Sequence, residues 1–412
     1  MKSHYSYDIV LFGGGIAGLW LLHRLRQAGY DAILFESSAL GSQQTFSSQG
    51  IIHGGLKYTL SGSLNKAANN VAGMPERWQA CFKGQGEIDL SEGKITSAQY
   101  YMWSNSGLRS KLKAFLGSKS LAGRISVVKK PNYPKLFDGS TINGTLYQLP
   151  DFTIDTESVV QSLFSQMQEH IYSIDNSTTQ FELDEKAEID SLIIDRSNST
   201  SSQANITVKA QRFIFSAGIG NEQLISSAGL KKPLAQRRPL QMVYLSKPNL
   251  PDAYVHIIGS SPSLNPQLTI TSHKGNDGEV VWYLGGEVAE NGVEKPPEIL
   301  IQETKSLLKK LVPWVDYSGA AWNTILIDRA EGQITDNKRP DGAICIPDGN
   351  CLVVWPTKLT LAPALGDIVI EELKSQGIAP SEHLHINKLE LAEFLAPPNL
   401  AIPEWKTYQH ES

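Results

Sequence analysis

Asp8-Ile9-Val10-Leu11-Phe12-Gly13-Gly14-Gly15-Ile16-Ala17-Gly18 reads as an apolar strand running straight into a glycine-rich turn. A helix pattern follows, apolar at Leu19, Leu22 and Leu25, and Gly29 ends it. A second apolar strand, Ala32-Ile33-Leu34-Phe35-Glu36, closes on an acid. Strand, glycines, helix and acid together make a dinucleotide fingerprint. Gly13 permits the tight turn. Gly15 carries no side chain to hold a pyrophosphate away from the backbone, and Gly18 lets helix and strand pack closely. The helix N-terminus presents its N–H groups to phosphate. Glu36, 18 residues beyond Gly18, is spaced to accept hydrogen bonds from ribose hydroxyls. The expectation is a βαβ unit holding an adenine dinucleotide.

The 412 residues suffice for two or three domains' worth of core. Apolar residues make up 41% and charged residues 19%, the balance of a globular chain. A net charge of −5 gives no basic footprint for nucleic acid. The three cysteines, Cys81, Cys345 and Cys351, are too few for a disulfide framework and lack metal-ligand spacing. They suit a reducing cytoplasm, the expected location, with no metal. No signal-peptide pattern opens the chain and no run of eighteen apolar residues occurs, so no membrane span is expected.

Residues 37–65 are rich in Ser and Gly and read as irregular. Helical patterns appear around 66–83 and 105–117, and Ile95 to Trp103 alternates weakly as a strand. Asp155 is placed to cap a helix running to about His170. Strand candidates follow at Thr179 to Leu183, Ala187 to Ile194 and Ala204 to Val208, with a hairpin tip between Arg196 and Asn205. Arg212-Phe213-Ile214-Phe215-Ser216-Ala217-Gly218 reads as a buried strand ending in a tight turn. Residues 239–286 are strand-rich, with a hairpin signal between Leu268 to Ser272 and Val280 to Leu284. A helix is expected over Pro297 to Leu311, a strand over Cys351 to Trp355 and a helix from Ala362 to about Gln376. The tail from Gly377 is polar, punctuated by Pro, and carries no motif.

Two more sites carry chemistry. In Trp355-Pro356-Thr357-Lys358-Leu359-Thr360 a buried strand passes into a helix. Its N–H groups and Lys358 can stabilise negative charge on a reduced flavin ring; a surface lysine is the plainer alternative. In Ser47-Ser48-Gln49-Gly50-Ile51-Ile52-His53-Gly54-Gly55-Leu56-Lys57-Tyr58, loop glycines adjoin a histidine and suit close approach to a flat ring. His53 is the candidate general base; a packing role is its alternative.

These motifs, in this order, resemble the FAD-dependent D-amino-acid oxidase superfamily. The 47–58 stretch and Lys-Leu-Thr look most like flavin-dependent glycerol-3-phosphate dehydrogenases, and Gly-Ile-Ile-His-Gly-Gly like the L-2-hydroxyglutarate dehydrogenase branch. The resemblance implies FAD lying extended. Gly13, Gly15 and Gly18 would meet the pyrophosphate, and Glu36 the adenosine ribose. Ser47, Ser48 and Gly50 to Gly55 would border the ring system, Lys358, Leu359 and Thr360 would cover its pyrimidine edge, and Ile16, Ala17, Ser37, Thr45, Ala217 and Gly218 would also bind the cofactor. The family often has Trp-x-Gly-x-Arg-Pro, whose Arg grips a substrate anion. This chain has Trp322-Asn323-Thr324-Ile325-Leu326-Ile327-Asp328-Arg329, longer and without Gly or Pro. Where the family has Gly-Gly before Lys-Leu-Thr, Trp355-Pro356-Thr357 stands in.

The fold class expected is α/β: a Rossmann-like FAD-binding domain with a second, strand-rich α+β substrate domain. Residues 1–90, 150–230 and 325–380 would form the first, 91–149 and 231–324 the second, and 381–412 a tail. The expected activity is a dehydrogenase or oxidase taking a hydride from a CH–OH group of a small anionic metabolite, such as a 2-hydroxy acid or polyol phosphate. His53 would take the hydroxyl proton, and Arg329 or Lys57 would hold the anionic end. Three alternatives stand beside it: oxidation of an amine or amino acid, an RNA-modifying flavoprotein, and a non-catalytic flavin-binding protein. The electron acceptor and oligomeric state are left open.

Overall fold

Ser3–Phe12 is the strand around which the first sheet is built. Its side chains alternate, and both faces are buried. Ile9 and Leu11 pack with the helices on one side, and Val10 and Phe12 pack with Phe35 and Phe215 on the other. The computed structural model describes residues 3–55, 71–104, 125–140, 142–195, 205–259, 265–333, 340, 342–381 and 391–407.

Ala32–Glu36 lies parallel to the first strand on one side, with Leu11 opposite Leu34, and Ile171–Ser173 lies beyond it. On the other side runs Ile206–Phe215, parallel and with Leu11 opposite Ile214. This long strand has two further partners. Its first residues pair antiparallel with Ile189–Ile194, and its last three pair parallel with Cys351–Trp355. The expected separate strands at 204–208 and 212–216 are therefore one. Exposed Lys209 and Gln211 break the apolar pattern where the strand passes between partners, and the backbone ladder continues through them.

The fingerprint helix spans Ile16–Gln27, with Leu19, Leu22 and Leu25 fully buried. It is clamped by Thr156–Met167 and Ala362–Ser375. Trp20 packs on Trp78 of the helix Met74–Phe82, with ring centroids 4.6 Å apart. Asp155 caps the helix beginning at Thr156, its Oδ1 accepting from Glu157 N–H and Ser158 N–H. The expected helix at 105–117 lies outside the described residues.

The second sheet has the order 321–332, 235–246, 280–285, 266–274, 255–258, 100–104, 145–149, 126–127. Ala321–Gly332 pairs with Ala235–Ser246 along its whole length, so all of it belongs to this sheet. Pro297–Leu311 covers the sheet with Leu300, Thr304 and Leu308, spaced four apart on one helix face.

A small third sheet joins Ile51–Ile52, Phe152–Ile154 and Ile95–Ser97. The stretch 37–65, expected to be irregular, thus contains a strand. Ile95 to Trp103, expected as one strand, is two: Ile95–Ser97 joins this sheet and Tyr100–Ser104 the second, because the chain turns at 98–99.

The tail is structured as well. Ala396 O accepts from Ser173 N–H at 2.7 Å, and residues 399–401 exchange backbone bonds with Leu40. Trp405 is buried against His273 and Tyr283 of the second sheet. The tail therefore ties the edge of the first sheet to the second. Among the described residues no helix is long and apolar enough to cross a membrane.

Candidate active site

A cavity of about 570 Å³ opens at the carboxyl ends of the parallel strands and is closed on its far side by the second sheet. Phe12, Glu36 and Trp355 come from the first sheet; Met242, His256 and Arg329 come from the second.

The fingerprint forms one end. Gly13 has φ +106°, left-handed backbone that favours glycine. A Cβ on Gly18 would stand 1.9 Å from Gly13 O and 3.0 Å from Leu34 Cδ1, so Gly18 sits behind the wall and sets how closely helix and strand approach. Gly15 and Ile16 line the cavity, and Ile16 N–H donates to Thr45 Oγ1 at 3.1 Å. Ala17 lines the same wall. Glu36 ends its strand with both carboxylate oxygens engaged. Oε2 accepts from Gly14 N–H, and Oε1 accepts from Ser38 N–H at 2.7 Å and Ser38 Oγ at 3.0 Å. A carboxylate has about four acceptor positions, so capacity remains for a ligand hydroxyl. Ser37 lies beside it on the cavity wall.

Ser47, Ser48, Gly50, Ala217 and Gly218 line the same cavity, Ala217 packed closely on Gly13. Tyr283 Oη donates to Ser47 O at 3.0 Å and Gln49 Nε2 to Tyr283 O at 3.1 Å, tying this loop to the second sheet. Lys358, Leu359 and Thr360 line the cavity as well. Thr357, where the family pattern has glycine, adopts φ +59°, and its hydroxyl donates to Gly342 O at 3.0 Å. The threonine takes the left-handed backbone that glycine would adopt freely.

His53 lines the cavity here. Its backbone N–H donates to Thr360 Oγ1 at 2.9 Å, which joins the 47–55 loop to the late crossing. Its ring Nδ1 lies 3.0 Å from Asp151 Oδ2, and Asp151 Oδ1 accepts from Gly54 N–H at 2.9 Å. The His256 ring stacks on it, centroids 6.0 Å apart and planes at 14°. His256 Nδ1 is 2.9 Å from Thr269 Oγ1 on the neighbouring strand. One donor atom from each of His53, Asp151 and His256 falls within 4.8 Å of the others. The 3.0 Å contact between imidazole and carboxylate is that of a hydrogen bond.

Arg329 lines the cavity from the strand Ala321–Gly332, its Nε donating to Arg238 O at 3.1 Å. Lys57 lies outside the described residues. Asp151 and His256 escaped the sequence reading. Asp151 carries no motif, and its signal is the register of two short strands. His256 sits alone in an apolar strand, where a core histidine is the ordinary interpretation. Cys351 is buried in the core and Cys345 is half-buried against core residues, and burial pushes both thiols up to about 12.

The residues present fit FAD: a glycine cradle under a helix N-terminus, a carboxylate at one end, and a loop-walled slot leading to a histidine. Comparison with known proteins agrees. Residues 8–371 match the family described as FAD dependent oxidoreductase. The probable FAD-dependent oxidoreductase PA4991 of Pseudomonas aeruginosa is 39% identical over 407 residues, covering 98% of this chain and 99% of that protein. Its crystal structure superposes with a TM-score of 0.82 over 98% of this chain and 99% of that one, at 36% identity. The FAD-bound L-alpha-glycerophosphate oxidase of Mycoplasma pneumoniae shares the fold at 15% identity and a TM-score of 0.63, covering 90% and 95% of the two chains. The glycine oxidase of Geobacillus kaustophilus does so at 13% and 0.61, covering 92% and 100%. The chain belongs to the FAD-dependent oxidoreductase family, an enzyme of D-amino-acid-oxidase type whose cofactor is FAD.

Proposed function

We propose that this oxidoreductase takes a hydride from a CH–OH group of a small anionic metabolite, a 2-hydroxy acid or a polyol phosphate. The observation that carries this reading is the place of His53. Its imidazole opens on the cavity that begins at the fingerprint, and its backbone is held by Thr360 of the late crossing. FAD, when bound, supplies the two-electron acceptor for the hydride. The chain's own groups do the rest. His53 takes the hydroxyl proton as the carbonyl forms. Arg329, on the second-sheet wall, is the group offered to the substrate's anionic end.

In this reading Gly13, Gly15, Ile16 and Ala17 face the pyrophosphate, while Glu36 and Ser37 face the adenosine ribose. Thr45, bonded to Ile16 N–H, and Ala217, packed on Gly13, stand beside the pyrophosphate, while Ser47, Ser48, Gly50 and Gly218 line the cavity where the rest of the cofactor would lie. Lys358, Leu359 and Thr360 stand at the flavin's pyrimidine edge, where positive charge and N–H groups favour an anion. The discontinuous division into an FAD-binding part and a substrate part belongs to the same proposal, with Ala321–Gly332 counted wholly on the substrate side. His53→Ala tests the reading. Flavin reduction under anaerobic conditions should slow by about a hundred- to ten-thousand-fold with FAD still bound. An unchanged rate would instead favour oxidation of an amine, which can lose its proton without a strong base.

A further inference from the structure

Ile52 pairs antiparallel with Phe152, so the next residue on one strand faces the preceding residue on the other. His53 is thereby set opposite Asp151 by backbone register. The Asp151 side chain is only 4% exposed, while that of His53 is 27% exposed, toward the cavity. Asp151 has two partners, Gly54 N–H on Oδ1 and the His53 ring on Oδ2. Among the described residues no Lys or Arg pairs with it.

We infer that Asp151 is a positioning residue for His53: it accepts the Nδ1 hydrogen, leaves Nε2 as the proton acceptor, and balances the charge His53 gains. The inference rests on the reading of His53 as general base. A carboxylate only accepts, so Nδ1 carries the hydrogen and the lone pair falls to Nε2. In the step, the substrate O–H bond breaks and its proton goes to Nε2. The C–H bond breaks with its electron pair, which leaves as hydride to FAD, and the carbonyl forms. The resulting imidazolium lies against a buried carboxylate in low dielectric, where the pairing is strongest.

The other groups facing the pair are consistent with this. His256 stacks on the His53 ring, and Tyr100 packs on His256 with centroids 4.7 Å apart. The Tyr100 phenol donates to Ile270 O at 3.4 Å and is held neutral by burial and by the Asp151 charge. Asp151 is the charged group in contact with the imidazole.

Asp151→Asn separates positioning from structure. The amide oxygen can still accept from Gly54 N–H, while the amide nitrogen donates toward Nδ1 and drives the ring hydrogen to Nε2. Nitrogen-15 NMR of the flavin-loaded protein should show the Nδ1–H tautomer at His53 in the wild type and the Nε2–H tautomer in Asp151→Asn. Anaerobic flavin reduction should slow by about a hundredfold or more, with FAD content and Tm near wild type. The acid limb of its pH profile should move to lower pH. Asp151→Glu should restore the Nδ1–H tautomer and part of the rate. A wild-type Nε2–H tautomer, or an Asn variant with unmoved tautomer and pH profile, would overturn the inference. If His53→Ala reduces at the wild-type rate while the tautomer still follows residue 151, the base reading has failed and the geometry has not.

Discussion

Glu36 illustrates how much one side chain at the fingerprint is asked to do. Its carboxylate holds Gly14 N–H and Ser38, and in the proposed placement of FAD it also accepts from a ribose hydroxyl. Glu36→Arg removes the acceptor and crowds the cavity. Hydrogen bonds to charged groups contribute about 1.5–3 kcal/mol each, so FAD affinity should fall by at least about tenfold. Fluorescence titration of the flavin-free protein with FAD reads this, and unchanged affinity would displace the adenosine from Glu36. His23 gives a pH effect at the same scale. It is buried on the fingerprint helix, its Nε2 2.9 Å from Leu163 O, and burial lowers it from 6.5. As pH falls below 6.5 the unfolded chain protonates this group while the folded chain still resists, so the unfolded state binds more protons and stability falls. Above 6.5 neither state binds the proton and the group is silent. Urea unfolding should weaken between pH 7 and 5, and His23→Gln should flatten that slope.

Among the elements, the helix at Thr156 offers the simplest test. Its cap, Asp155, accepts from two N–H groups that otherwise have no partner within the helix. Asp155→Ala should cost about 1 kcal/mol, read as a lower denaturant midpoint with the m-value unchanged. This helix, the fingerprint unit, the 297–311 helix and the 266–285 hairpin were all legible, because caps, periodicity and turn residues are local signals. What escaped was set by pairing. Two-residue strands such as Ile51–Ile52 have no period to read, yet their register puts Asp151 against His53. The division of Ile206–Phe215 between two partners is likewise decided by what lies beside it. The glycine and acid positions at the fingerprint could be named from sequence because one chain segment supplies them. The histidine–aspartate pair joins segments 98 residues apart.

At the scale of the whole molecule, the tail closes the structure. Residues 399–401 bond to Leu40, and Gly41 N–H donates to Gly14 O at 2.9 Å, so the tail leans on the turn above the fingerprint. Its end seats Trp405 on His273 at 4.4 Å and Tyr283 at 5.2 Å between ring centroids. Lys406 pairs with Glu157 of the capped helix. Truncating a buried Trp typically costs about 3–5 kcal/mol. Trp405→Ala should therefore lower Tm by several degrees and speed FAD loss on dilution, because Tyr283 also holds Ser47 at the cavity wall. A variant with wild-type Tm would mean that the tail only rests on the surface. What the cavity oxidises is tested most directly by anaerobic mixing of the FAD-loaded protein with a panel of 2-hydroxy acids, polyol phosphates, amino acids and secondary amines, reading the loss of flavin absorbance. A hydroxy acid or polyol phosphate should bleach the flavin, and amino acids and amines should not. Bleaching by amino acids or amines, with none by any hydroxy compound, would contradict oxidation at a CH–OH group.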